Sequence, residues 1–172
     1  METSIRIEGK WAVDAPPSLT LALARRLDIA DKLAGRRWQL KRDDDGSMTG
    51  QLRRGPVSIV QEGEEQIDQT STLHHRLSVK RFGITITAGV EMECQPGEDG
   101  GSVMAIRFRF EDSGVLRFVP RGIVDQRLFS LQQALLLTYE QALEALSADR
   151  EAALARLDED ERRIVEEGLL AA

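Results

Sequence analysis

Few side chains in this sequence could carry out chemistry. His74 and His75, Cys94 and Tyr139 are the only residues of their types in the 172-residue chain. Adjacent residues on an extended strand point to opposite faces, so His74 and His75 cannot ligate one ion, and a metal site is not expected. His75 shares phase with Leu73 and Leu77 and is therefore expected to face inward. There it could act as a general acid–base or hydrogen-bond a ligand, or it could be a core histidine satisfied by a backbone carbonyl. A cysteine–histidine pair needs the two side chains within hydrogen-bond reach. If the chain turns back about Phe82-Gly83, Val79 pairs with Ile86, Leu77 with Ala88, His75 with Val90 and Leu73 with Met92. That register keeps apolar residues on one face throughout. Cys94 then falls opposite Ser71, about 13 Å along the strand from His75, and is expected to be a small inward hydrophobe. Phosphate-cradling glycine loops, a nucleophile elbow and paired zinc spacings are absent from the sequence.

The elements that must position these residues follow from periodicity. In residues 4–13, Ile5, Ile7, Gly9, Trp11 and Val13 alternate with Arg6, Glu8, Lys10 and Ala12, the period of a half-buried strand. Pro16-Pro17 ends it, and Ser18 stands where a helix N-cap is expected before a leucine-rich helix, with a second short helix over Ile29–Leu33 before Gly35. Residues 37–41 and Met48–Leu52 read as a hairpin about Asp43-Asp44-Asp45-Gly46. Gly63 reads as a bulge glycine in the next strand. Alternation from Leu73 to Phe110 predicts three long antiparallel strands, with Glu91, Glu93, Arg107 and Arg109 on the wet face. Val115–Val119 reads as a last strand. Ile123–Leu146 reads as one long helix, its broad apolar stripe including Leu135, Leu136, Tyr139, Ala142 and Leu143. Ser147 is a plausible cap for a second amphipathic segment, Asp149–Leu170.

Composition bounds the class. The chain is 41% apolar and 30% charged, as soluble globular proteins are, and one domain is the working assumption. A net charge of −6 gives no bulk attraction to nucleic acid or to an anionic membrane, so neither is an expected partner. The charge is uneven: residues 1–55 are net positive and residues 121–172 net negative. The N-terminal arginines lack interleaved aromatics and are read as solvated surface. A lone cysteine, the lack of a long apolar run and the Glu2 that follows Met1 make the cytoplasm the expected compartment.

Strand, one or two short helices, several antiparallel strands and one long C-terminal helix make an α+β order. That order resembles the helix-grip, or START-like (SRPBCC), superfamily, in which a curved antiparallel sheet wraps a long C-terminal helix. The local markers most resemble the branch that holds the G component of carbon monoxide dehydrogenase and polyketide cyclase-like proteins. They are Ile7 to Asp14 running into Ala15-Pro16, Leu33-Ala34-Gly35, the Asp45-Gly46 turn, Gly55-Pro56, Gly100-Gly101 and the helix after Gly122. The resemblance covers about residues 5–146, so residues 1–146 are assigned to a helix-grip domain and 147–172 to an acidic amphipathic extension. It implies a cavity between helix and sheet that holds an apolar ligand, and no particular reaction.

Trp11, Trp38, Met92, Met104, Phe108, Phe110 and Tyr139 are the large inward candidates. Of these, Trp38, Met92, Met104, Phe108 and Tyr139, with His75, are expected to line such a cavity, Tyr139 and His75 supplying its polar points. The expected function is non-catalytic binding of a hydrophobic small molecule, with no cofactor. The alternatives are a cyclase- or dehydratase-like enzyme using His75, and a protein-interaction module. In the extension, Leu154, Leu157, Ile164, Val165 and Leu169 return to one helical face amid excess acid, which suits a protein contact better than a membrane. That stripe is expected either to dock on its own domain or to form a homodimer or partner interface.

Overall fold

The computed structural model describes residues 6–52, 55–81, 84–110 and 120–170. Among the described residues seven strands form one antiparallel sheet: β1 (Arg6–Val13), β2 (Lys41–Arg42), β3 (Met48–Leu52), β4 (Gly55–Ile67), β5 (Thr70–Arg81), β6 (Ile84–Pro96) and β7 (Ser102–Phe110). Their spatial order is β1-β7-β6-β5-β4-β3-β2, so β1 lies at one edge beside β7. The β5–β6 register is the expected one, with Leu73 opposite Met92, His75 opposite Val90 and Ser71 opposite Cys94. A register shift between Gln61 and Gly63 marks the expected bulge. On the outer face Glu91 lies opposite Arg107, and the Arg107 guanidinium is 3.6 Å from Glu91 and 3.2 Å from Glu93. The strand expected at Val115–Val119 and the turn at Phe82-Gly83 lie outside the described residues.

Helices cover the other face. They are α1 (Pro17–Arg25), α2 (Leu27–Leu33), α3 (Arg121–Ala148), α4 (Arg150–Leu154) and α5 (Glu159–Leu170). The fold class is the α+β one that the order of elements implied. The inward rows of the sheet include Leu73, Met92 and Ile106, and His75, Val90 and Phe108, all buried beneath the helices.

Several local expectations are corrected. Ser18 is no cap: the helix starts after Pro16, and Ser18 Oγ instead donates to Gly168 O at 2.6 Å. The hairpin arm over residues 37–41 is strand only at Lys41–Arg42. The Asp31 carboxylate explains why, since it accepts from Trp38 N (2.8 Å) and Leu40 N (3.0 Å) and so replaces ladder partners on that side. Gln39 also takes a positive φ of 51°, which is incompatible with a regular strand. Burial pushes the Asp31 carboxyl pKa up against the lowering effect of those two donors. Ser147 is not the second cap; Asp149 is, accepting from Ala152 N.

The segment read as one helix over 149–170 is two. Asp158 and Glu161 form a reciprocal capping box, Glu161 N donating to Asp158 (2.8 Å) and Asp158 N to Glu161 (3.1 Å), which restarts the helix. This pair of helices packs on its own chain. Lys32 on α2 bonds both oxygens of the buried Glu161 at 2.7 Å, and Arg156 donates to Leu33 O. Gly168 brings α5 against α1 so closely that a Cβ there would lie 3.0 Å from the Leu19 Cα.

Candidate functional site

The long helix α3 is tied at its C-terminal half to the short-helix layer. Trp38 Nε1 donates to Thr138 Oγ1 at 2.8 Å, and Tyr139 OH donates to Thr20 O at 3.2 Å. Between that part of α3 and the β1–β7 edge of the sheet an apolar cleft of about 210 Å³ remains. Trp11, Val13 and Met104 line it from the sheet, and Leu136, Tyr139 and Leu143 from the helix. Trp11 and Met104 are register partners across β1 and β7. Leu136, Tyr139 and Leu143 recur at three- and four-residue steps, so one helical face supplies that wall. Asp14 and Glu140, both exposed, add carboxylates to the lining.

The expected site residues do not all meet there. Met104 and Tyr139 line the cleft. Trp38, Met92 and Phe108 are almost wholly buried core side chains outside its lining. His75 lies under α1, 2% exposed, its Nε2 donating to Ala24 O at 3.0 Å while Nδ1 has no partner among the described residues. Burial drives its pKa down, partly opposed by that hydrogen bond. Cys94 is buried, faces Pro17 O at 3.8 Å, and its thiol is raised to about 11 by burial. The Tyr139 hydroxyl is pushed well above its ordinary pKa, again by burial. These groups are therefore neutral near pH 7 and mostly engaged with backbone. Among the described residues no cluster of three or more His, Cys, Asp or Glu could hold a metal ion, and no helix is long and apolar enough to cross a membrane.

Three members of the cleft had a sequence signal that ranking by size passed over. Leu136 and Leu143 belong to the stripe of the long helix, and Val13 to the inward face of the first strand. Gln132, one turn before Leu136, had none: a glutamine in an apolar stripe reads as surface, yet it is 3% exposed and its Nε2 has no partner among the described residues.

No protein-family model matches the chain, and no curated protein does. Solved structures do match. Ara h 8.0201 is 14% identical with a TM-score of 0.56, over 82% of this chain and 99% of that one. The Mll3558 protein from Rhizobium loti is 12% identical with a TM-score of 0.51, over 81% and 99%. A putative uncharacterized protein from Rhizobium leguminosarum is 9% identical with a TM-score of 0.52, over 82% and 95%. At such identities the likeness speaks for the fold alone, and that fold is the helix grip.

Proposed function

We propose that the protein binds an apolar small molecule, without chemistry, in the cleft between α3 and the β1–β7 edge. The observation that carries this reading is an open apolar cleft walled by Trp11, Val13, Met104, Leu136, Tyr139 and Leu143. Covering such a surface stabilises a bound ligand by about 25 cal/mol per Å² of apolar area removed from water. The cyclase or dehydratase reading has less support, because His75 is outside the lining, its Nε2 is held by Ala24, and burial lowers its pKa.

Fluorescence titration with dimethylaminonaphthalene, a neutral apolar probe, tests the reading. Saturable binding is expected in the native protein. Leu143→Trp, which fills the cleft from the helix side, is expected to weaken it by about tenfold or more, an affinity change of at least ~1.4 kcal/mol. Absence of saturable binding, or binding indifferent to Leu143→Trp in a folded variant, would remove the proposal.

A further inference from the structure

Three of the inward-facing donors near α3 are spent on the protein itself: Trp38 Nε1 on Thr138, the Tyr139 hydroxyl on Thr20 O, and His75 Nε2 on Ala24 O. Gln132 differs. It is 3% exposed and its amide nitrogen has no partner among the described residues. A buried amide donor left unpaired is destabilising, so its persistence asks for an explanation.

The surroundings of that amide point to one. Gln132 lies four residues before Leu136, on the face of α3 that walls the cleft. Across from it is Gly9 on β1. A Cβ added at Gly9 would collide with the six-membered ring of Trp11 and come 2.9 Å from Gln132 Nε2. The rim of the indole and the amide nitrogen thus meet over the same bare stretch of strand. Trp11 is half-buried and also lines the cleft, so the residue whose ring shares the Gly9 bed with the amide is itself a wall of the cleft. Glycine makes this arrangement possible, since any side chain at position 9 would occupy the ring's bed. At about 210 Å³ the cleft is smaller than the ~300–1,000 Å³ of ordinary ligand sites, and rotation of the indole off Gly9 would enlarge it toward the amide.

We propose that Gln132 is the recognition residue of the cleft and that its ligand is a neutral apolar molecule bearing a carbonyl-type acceptor, which takes the amide N–H as Trp11 swings off Gly9. The proposal rests on the ligand-binding reading above. The lining, which among the described residues includes the carboxylates of Asp14 and Glu140 and no cationic side chain, rules against an anionic ligand, and the apolar walls favour a neutral one. An anionic head would be repelled there with nothing to offset it.

The test compares the naphthyl ketone prodan, whose emission moves to the red when its carbonyl accepts a hydrogen bond, with dimethylaminonaphthalene, which lacks the acyl group. The native protein is expected to bind the ketone more tightly than the acyl-free probe. Gln132→Leu is expected to weaken ketone binding about tenfold, to shift the bound emission to the blue, and to leave the acyl-free probe unaffected. Its melting temperature should equal or exceed that of the native protein, because an orphaned donor has been removed. Gln132→Glu, which replaces the donor by an acceptor, should reject the ketone as well. Equal ketone affinity and emission in the native protein and Gln132→Leu would overturn the assignment to Gln132 while leaving the carrier standing. Native preference for the acyl-free probe would overturn the ligand class. Failure of the native protein to bind the acyl-free probe at all would overturn the carrier and this proposal with it.

Discussion

His75 shows how one residue divides between a chemical and a structural reading. Its inward phase was legible from Leu73 and Leu77, and the structure places it inward, but its ring spends Nε2 on the carbonyl of Ala24 and leaves Nδ1 without a partner among the described residues. Protonating Nδ1 would put an uncompensated charge under α1, which is why burial lowers the pKa. The unfolded chain suffers no such restriction and takes up the proton near pH 6.5. The unfolded state therefore binds more protons below that pH, and stability falls as the pH drops from about 6.5 toward the lower folded value. Thermal melts at pH 7.5 and 5.5 should show a larger acid-induced loss for the native protein than for His75→Gln, which lacks the buried imidazole. Equal losses in the two proteins would show that His75 does not carry the acid sensitivity.

At the scale of elements, the strands were readable and the helix boundaries less so. Alternation over 73–94 fixes both faces at once, so a wrong register would have exposed Leu73, Leu77 and Met92 together. The cap expected at Ser18 fails on a contact distant in sequence, since Ser18 is drawn off to Gly168, 150 residues away, and the strand expected over 37–41 fails because Asp31, seven and nine residues back, takes the N–H groups of Trp38 and Leu40. No local pattern encodes either. The break before α5 was local, as Asp158 and Glu161 have capping-box spacing, but it was masked by a continuous acidic amphipathic background. Of the candidate site, Met104 and Tyr139 were identified by size and phase, and Leu136 and Leu143 were visible only as stripe; the buried Gln132 beside it was hidden by its polarity. The docking of α5 also makes a prediction. Glu161 is 4% exposed and bonded to Lys32, so Glu161→Ala should leave a part-buried ammonium unpaired. The loss of that bridge and of half the capping box should lower stability by about 2–4 kcal/mol in denaturant unfolding. A change below ~0.5 kcal/mol would mean that the helix contributes little to the body of the protein.

Across the whole molecule, the two latches on α3 reach neighbouring elements rather than the β1–β7 edge. Trp38 and Thr20 hold α3 through the segment after α2 and through α1, and the sheet edge then faces the helix across the cleft. The width of the gap should accordingly depend on residues that never touch a ligand. Thr138→Val keeps the shape of the side chain but removes the oxygen that accepts the Trp38 indole N–H, leaving a buried donor unpaired at about 1–3 kcal/mol. With that tie gone the helix can relax toward the sheet, because a closer approach buries apolar surface on both walls. The expected result is a loss of stability of that order together with several-fold weaker binding of dimethylaminonaphthalene, although Thr138 is not in the lining. Glu161→Ala provides the comparison, since it destabilises α5 at a distance and should leave probe affinity unchanged. If Thr138→Val lowers the melting temperature yet binds the probe as the native protein does, the gap is set by the cleft's own side chains, and the helical layer has no part in holding it open.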